Sequence, residues 1–299
     1  MTSAITALRS LLFVPGNQPN MMEKAMALRP DAFIPDLEDS VPDDEKTNAR
    51  EVTAAHIASL AAGGTKVIPR VNSMDTGIME KDLAALVGPD IFGVSIGKIY
   101  TADDIQKISS ILSDLERKAG LQDGHVRLVP WIETAMAVSH AYEVSAASPR
   151  IIAVAFGAED YTNDMGIERT EGEQETVYAR SAIGVAARAA GVLALDTPFF
   201  SFRDPDGLRS NAQDAKKFGF KGKFAIHPAQ IDIINETFSP SQAEVEHAQR
   251  VIAAFEEAER IGRGSTSLDG KVVDVPVVKR AQALLELAEA MQNIAGPGN

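Results

Sequence analysis

Two carboxylates follow neighbouring apolar runs of the chain. Glu133 ends the run VRLVPWIE (126–133), and Asp160 comes three residues after the run IIAVAFG (151–157). Parallel strands bring their carboxyl ends to one edge, so we expect these two side chains to lie close together. Carboxylates without thiolate or paired histidine ligands suit a hard cation such as Mg²⁺. Glu133 and Asp160 are therefore predicted metal ligands. The alternative is that each caps the following helix or pairs with a base.

Charged and polar residues also stand at the ends of other apolar runs. They are Glu38 and Asp39, Arg70, Lys98, Asp196, and His227. The planar guanidinium of Arg70 can bind a carboxylate or an enolate oxygen, and its alternative role is a salt bridge with Glu38 or Asp39. Lys98 could act electrostatically or form a Schiff base, and the second role would make a metal-free aldolase. His227 either joins the site or only fixes its loop.

Composition excludes several classes of protein. The chain has 299 residues, no cysteine and a net charge of −13. The absence of cysteine excludes thiolate metal sites, iron–sulfur clusters and cysteine nucleophiles. The acidic balance argues against nucleic acid and anionic membranes as partners. No apolar run reaches the roughly 18 residues of a membrane span, and the N-terminus does not have the pattern of a signal peptide. We expect a cytoplasmic enzyme.

Eight short apolar runs alternate with longer amphipathic stretches. The runs span residues 9–15, 32–38, 66–71, 91–96, 126–133, 151–157, 192–198 and 223–228. Helices are predicted at about 18–28, 43–62, 79–87, 102–119, 134–147, 173–190, 206–219 and 229–236. Eight strand–helix units predict an α/β fold of the (β/α)8 TIM barrel type. The alternative, a doubly wound open sheet, would need a glycine-rich turn after the first strand, where the chain has Val14-Pro15-Gly16-Asn17.

The remaining chain is predicted to form a C-terminal extension. We assign residues 1–238 to the catalytic barrel and residues 239–299 to a helical extension with helices at about 241–262 and 275–292. The stretch between them, 261–276, is rich in glycine and serine. This extension is suited to be a lid or a subunit contact.

Seven motifs in a fixed order resemble a known family. They are RSLLFVPGN (9–17), LEDSV (37–41), IPRVNS (68–73), IETA (132–135), FGAED (156–160), AIHPAQI (225–231) and DVPVVKRAQ (274–282). Together they resemble the citrate lyase β-subunit-like family within the HpcH/HpaI aldolase superfamily, over residues 9–291. One position departs from the pattern. Many relatives carry Lys-x-Glu after the fourth strand, whereas Ile99 and Tyr100 follow Lys98.

The resemblance implies roles for several residues. It implies Mg²⁺ bound by Glu133 and Asp160, with Arg70 near the substrate's carboxylate or thioester enolate oxygen and Glu133 also near the substrate. It implies a homotrimer or homohexamer in which Asp274 reaches a neighbouring barrel as the catalytic acid or base. Two further expectations come from the chemistry. Glu38 and Asp39 would orient Arg70 and metal-bound waters, and Lys24 would contact the phosphates of coenzyme A.

The activity implied is that of a magnesium-dependent carbon–carbon lyase. It would cleave or form a 3-hydroxyacyl-CoA thioester, such as citramalyl-CoA or malyl-CoA, and yield acetyl-CoA and a 2-keto acid. Three alternatives stay open at this point. They are an acyl-CoA thioesterase that uses the same site, a CoA-independent aldolase acting on free keto acids, and a non-catalytic binding protein. The segment with Asp274 favours the CoA-dependent branch.

Overall fold

The computed structural model describes residues 7–294, which divide into two compact units. The larger unit, residues 8–235, holds nine parallel strand segments. They are β1 (Ser10–Pro15), β2 (Ala32–Asp36), β3 (Lys66–Val67), β4 (Arg70–Val71), β5 (Gly93–Ile96), β6 (Arg127–Ile132), β7 (Ala153–Phe156), β8 (Leu193–Asp196) and β9 (Gly222–Ala225). β1 pairs with β2 on one side and with β9 on the other, which closes the sheet. The predicted eight-stranded barrel is confirmed. β3 and β4 are two halves of its third strand, interrupted around Pro69, which has no N–H to donate.

Helices alternate with these strands. They are α1 (Pro19–Ala25), α2 (Lys46–Ala61), α3 (Met79–Leu86), α4 (Ala102–Lys118), α5 (Ala135–Ser139), α6 (Ala141–Ser145), α7 (Ala158–Met165), α8 (Val177–Ala190), α9 (Pro205–Lys217) and α10 (Ile231–Phe238). Among residues 7–294, no helix has the length and apolar run needed to cross a bilayer.

Two of these helical regions differ from the sequence-based expectation. The predicted helix at 134–147 is two short helices, α5 and α6, which meet at His140. The helix α7 was not predicted, because its sequence AEDYTNDM is polar and only one turn carries buried residues. As a result Asp160 lies in the first turn of a helix rather than on a strand end.

The barrel interior is an apolar core with an aromatic layer. Side chains on the strand segments, or on residues beside them, form one buried cluster. Phe13, Trp131 and Phe224 stack within it, with ring centres 4.4 to 6.0 Å apart. The guanidinium of Arg70 lies 4.8 Å from the centre of the Phe13 ring. The aromatic layer therefore packs directly against Arg70, a charged residue at the carboxyl ends of the strands.

The second unit comprises Ala7 and residues 236–294 within the described chain. The division falls inside α10, three residues before the boundary predicted from the sequence. The unit contains α11 (Gln242–Arg260), α12 (Val275–Ile294) and a hairpin of β10 (Thr266–Leu268) and β11 (Lys271–Val273). The hairpin was not predicted in the glycine- and serine-rich stretch. Its turn residues Asp269 and Gly270 both have positive φ, as a two-residue Asp-Gly hairpin turn requires.

Candidate active site

Arg70 lies at the carboxyl end of the third barrel strand and is surrounded by carboxylates. Its Nε and Nη2 donate to the two oxygens of Asp36, each at 2.7 Å, and its Nη1 donates to Asp39 Oδ2 at 3.0 Å. Glu38 Oε2 lies 3.2 Å from Nη1. Burial works to lower the pKa of Arg70, but these carboxylates outweigh it and the pKa is raised. Arg70 is thus a fixed cation.

Asp36 is the strongest partner of Arg70, and the sequence did not single it out. It is buried at the end of β2, and it also accepts from the backbone N–H groups of Glu38 and Ser40 at 3.0 and 3.1 Å. Burial works to raise the pKa of Asp36, but Arg70 and these hydrogen bonds lower it below the ordinary value. Asp36 therefore anchors both the guanidinium and the turn that carries Glu38 and Asp39.

Glu133 follows the last residue of β6 and is only 3% exposed. The backbone N–H of Lys98 donates to its Oε1 at 2.6 Å. A Cβ atom on Gly97 would lie 2.8 Å from Oε1, and a Cβ atom on Gly157 would overlap Oε2. These glycines follow β5 and β7, the two strands that flank β6. They leave the space that the carboxylate of Glu133 occupies.

Neither predicted metal ligand is used to cap a helix. Thr134 caps α5, since its Oγ1 accepts from the backbone N–H of Ala137 at 3.1 Å. Asp160, half-buried in the first turn of α7, makes no side-chain hydrogen bond or ion pair with the described residues. The geometry therefore does not favour the alternative in which these two carboxylates cap helices or form ion pairs with basic side chains.

Glu38 is buried beside Arg70 with one oxygen unsatisfied. It is 5% exposed, and its Oε1 has no hydrogen-bond partner among the described residues. The ammonium of Lys98 lies 3.7 Å from that oxygen, beyond hydrogen-bond length. Burial raises the pKa of Glu38 to about 7, against the opposing charges of Arg70 and Lys98. A buried acceptor without a partner is unusual in native proteins and indicates a donor supplied from outside the chain.

We call these seven charged residues at the carboxyl ends of the strands the rim cluster. Its five carboxylates are Asp36, Glu38, Asp39, Glu133 and Asp160, and its two cations are Arg70 and Lys98. Burial, and next the charge of Asp160, raises the pKa of Glu133 to about 8. Burial, and next the charge of Asp39, raises the pKa of Asp160. The cluster thus carries more negative charge than its own cations neutralise.

The rim cluster fits a divalent cation. Among residues 7–294 no group of three or more Asp, Glu and His side chains is arranged to hold a metal. Two protein ligands are enough for Mg²⁺, which commonly binds one or two carboxylates and completes its shell with water and substrate oxygens. Glu133 and Asp160 would be those two ligands. The unsatisfied Glu38 Oε1 agrees with a hydrated ion at this position.

A cavity opens beside the rim cluster. It has a volume of about 770 Å³, and its lining includes Glu38, Asp39, Lys98, Asn72 and Arg50. Ligand pockets commonly measure roughly 300 to 1,000 Å³. The cavity is thus large enough for a small acid and part of a larger substrate.

Other predicted site residues lie apart from the rim cluster or in the second unit. Asp196 is buried and pairs with Arg180 and Lys223, so it does not add to the site. His227 accepts from the backbone N–H of Ala229 at 3.2 Å, which matches the loop-fixing alternative. Lys24 is exposed on α1. Asp274 is half-buried before α12, and its Oδ1 accepts from the backbone N–H of Val277 at 3.2 Å.

One segment has the spacing of a serine nucleophile elbow but not its structure. Residues 93–97 read Gly-Val-Ser-Ile-Gly. Ser95 is fully buried within β5, and its Oγ accepts from Trp131 Nε1 at 2.7 Å. A nucleophile elbow instead exposes its serine on a sharp turn between a strand and a helix. Ser95 is therefore a core residue.

Comparisons with known sequences and with solved structures find relatives of the same family. The chain is 38% identical to the citrate lyase subunit β of Leuconostoc mesenteroides, over 97% of this chain and 96% of that protein. It is 39% identical to a (3S)-malyl-CoA thioesterase of Cereibacter sphaeroides, over 95% of each chain. The crystal structure of CitE from Mycobacterium tuberculosis in complex with magnesium, acetoacetate and coenzyme A superposes with a TM-score of 0.78. The identity is 28%, and the match covers 96% of this chain and 100% of that chain. The profile of the HpcH/HpaI aldolase/citrate lyase family matches residues 9–228, and the chain belongs to that family.

Proposed function

We propose that the chain is a Mg²⁺-dependent lyase that cleaves or forms the carbon–carbon bond of a 3-hydroxyacyl-CoA thioester. Citramalyl-CoA and malyl-CoA are the candidate substrates, and the products of cleavage are acetyl-CoA and a 2-keto acid. The relatives that support this assignment are citrate lyase β subunits and a malyl-CoA thioesterase, and the CitE structure contains both magnesium and coenzyme A.

One observation carries the proposal. Glu133 and Asp160 have raised pKa values and no cationic side chain bonded to them among the described residues, although Glu133 is almost completely buried. A buried carboxylate is costly unless it is paired or binds a metal. Mg²⁺ would supply the missing charge and, when bound, would polarise the hydroxyl and carboxylate oxygens of the substrate.

The chain's own residues would act on charge and protons. Cleavage leaves a thioester enolate, whose negative charge needs a fixed cation nearby. Arg70 is suited to this because Asp36 holds its guanidinium at two points, while Glu38 and Asp39 complete its surroundings. Asp274 would exchange a proton with the substrate hydroxyl or the acetyl methyl group.

The test is a product analysis with defined thioesters. The purified chain with Mg²⁺ is incubated with malyl-CoA or citramalyl-CoA, and acetyl-CoA, keto acid and free CoA are quantified. We expect acetyl-CoA and keto acid in equal amounts, and no product when the metal is chelated. A chain that yields neither product from either thioester contradicts the proposal.

A thioesterase is the second candidate function. The malyl-CoA thioesterase of Cereibacter sphaeroides covers the chain at 39% identity, nearly as completely as the citrate lyase subunit. Hydrolysis of the thioester would release free CoA and the intact hydroxy acid, with no acetyl-CoA. The same assay therefore distinguishes the two activities.

Asp274→Asn tests the role of the C-terminal unit. We expect turnover to fall by about 10²- to 10⁴-fold, the usual contribution of an acid or base, with Mg²⁺ affinity unchanged by calorimetry. Asp269→Asn, in the exposed hairpin turn, serves as the control. Unchanged turnover of Asp274→Asn would show that another group transfers the proton. A homotrimer or homohexamer, to be measured by light scattering, is the assembly in which Asp274 would serve a neighbouring barrel.

A further inference from the structure

Most of the hydrogen-bonding capacity of Arg70 is used within the protein. A guanidinium has five N–H donors, and three of those on Arg70 donate to Asp36 and Asp39, while Glu38 lies 3.2 Å from its Nη1. Its side chain is only 12% exposed. Arg70 can stabilise one developing charge nearby, but it is poorly placed to bind a second anionic group of the substrate.

Lys98 is the other cation of the rim cluster, and its ammonium is uncommitted. Its one ion pair among the described residues is to Glu38 Oε1 at 3.7 Å, and no side-chain hydrogen bond forms. The side chain is 33% exposed and lines the cavity beside the cluster. An ammonium has three donors, so Lys98 can still bind a ligand through all of them.

The backbone of Lys98 is strained. Its φ is 53°, in the left-handed region, which is disfavoured for a residue with a Cβ atom. This conformation aims the Lys98 N–H at Glu133 Oε1 at 2.6 Å. Glycine would make the same backbone bond without the strain. A lysine at this position therefore indicates a use for its side chain, in keeping with the occurrence of backbone strain at functional sites.

We propose that Lys98 is a substrate-contacting residue whose ammonium binds the carboxylate of the keto-acid part of the substrate. The inference rests on the proposed function, since it assigns one anionic group of that substrate to a named side chain. Arg70 would then face the thioester oxygen, while Lys98 faces the carboxylate from the cavity side. Lys98 thereby favours acids over neutral carbonyl compounds.

The surroundings of Lys98 do not suit a Schiff base. Its ion pair is with Glu38 Oε1 at 3.7 Å, and its side chain is 33% exposed. Schiff-base lysines need a neutral amine, which desolvation or a neighbouring cation provides. Lys98 has neither deep burial nor a neighbouring cation, since its neighbour is a carboxylate, which favours the charged form that binds an anion.

The test is calorimetric binding of keto acids to the Mg²⁺-loaded chain. Pyruvate and glyoxylate are titrated into the native chain, with pyruvamide as the neutral analogue. We expect Lys98→Met to weaken binding of both acids by about 10- to 100-fold, the range for a charged hydrogen bond, and to leave pyruvamide binding unchanged. Lys98→Arg should restore part of the affinity.

Two variants separate substrate binding from a structural role. Lys98→Gly relieves the strain and keeps the N–H bond to Glu133, so it should bind the acids as weakly as Lys98→Met without a lower melting temperature. Lys107→Met, on an exposed face of α4, should bind them as the native chain does. Native affinity and native discrimination against pyruvamide in Lys98→Met would overturn the inference. Absence of binding of either acid to the native chain would contradict the keto-acid substrate itself.

Discussion

Two clusters of buried charge in the barrel differ in how completely they are paired. The paired cluster lies between the strands and α8 and consists of Glu173, Arg180, Asp196 and Lys223. Arg180 and Lys223 both contact Asp196, at 3.0 and 2.5 Å, and Arg180 also contacts Glu173 at 2.6 Å. In the rim cluster the carboxylates of Glu133 and Asp160 have no such partner.

The difference appears in the pKa values of the carboxyl groups. Burial would raise the pKa of Glu173, but Arg180 and Arg169 hold it at about 2. Burial raises the pKa of Glu133 to about 8, because the nearby Asp160 adds to the effect instead of opposing it. A paired buried charge needs no explanation beyond the fold, whereas an unpaired one indicates a ligand. This contrast supports our proposal that the rim cluster is the functional site.

The largest expected effect comes from removing a charge of the rim cluster. Glu133→Gln keeps the shape of the side chain and removes a predicted metal ligand. The loss of several kcal/mol of transition-state stabilisation corresponds to a decrease in kcat of about 10³-fold or more. The free energy of unfolding measured without metal should not fall, because the variant removes a carboxylate that Asp160 repels. Native Mg²⁺ affinity of this variant by calorimetry would contradict the metal assignment.

Breaking the paired cluster should affect stability instead. Asp196→Ala leaves Arg180 and Lys223 buried without their shared partner, and we expect a loss of about 3–5 kcal/mol in the free energy of unfolding. Urea denaturation measures it. The control is Asp214→Ala, which removes an exposed ion pair with Lys217 and should cost at most about 1 kcal/mol. Equal losses in both variants would show that burial does not distinguish these pairs.

A smaller effect is expected from filling the space beside Glu133. In Gly157→Ala the new Cβ would overlap Glu133 Oε2, so the carboxylate must move. Displacement of a metal ligand by a neighbour typically weakens metal binding by about 10- to 100-fold. Gly63→Ala is the matched control, because no atom lies within 4 Å of its added Cβ. Native Mg²⁺ affinity in Gly157→Ala would show that Glu133 is not held in place by this contact.

The two clusters should also respond to pH in opposite directions. The pKa of Glu133 is about 8 and that of Glu38 about 7, against an ordinary value of 4.5. The folded state therefore binds protons that the unfolded chain has released, and metal-free stability should fall as pH rises from 4.5 to about 8. The slope is at most about 1.4 kcal/mol per pH unit for each group. The contribution of Glu173, with its pKa of about 2, is present above pH 4.5 and is lost as pH falls towards 2.

Urea unfolding between pH 5 and 8, in the presence of a chelator, checks the first half of this comparison. Glu133→Gln should flatten the decrease, since it removes the group with the highest pKa. A decrease as steep as that of the native chain would mean that Glu133 is not protonated in the folded state. Saturating Mg²⁺ should also flatten it, because a bound cation favours the ionised carboxylates.

Much of the fold and part of the site followed from local sequence pattern. Eight short apolar runs alternating with amphipathic stretches predicted the barrel. The position of Glu133 at a run's end predicted its place at the carboxyl edge. The hairpin in the second unit was missed although Asp269-Gly270 is a strong turn signal. The short helix α7 was missed because its eight residues, AEDYTNDM, are mostly polar and give too short an apolar pattern to detect.

The direction in which each strand-end carboxylate points was decided only by the tertiary structure. Asp36 and Asp196 end similar apolar runs, AFIPD and VLALD. Asp36 faces Arg70 in the barrel mouth, while Asp196 faces α8 behind the strands. Barrel strands are buried on both faces, so no alternation of polar and apolar residues marks the inner face. The sequence thus determined which residues could do chemistry and at which edge. Closure of the barrel determined which carboxylates were paired and which were left for a ligand, because pairing depends on neighbours that are distant in the chain.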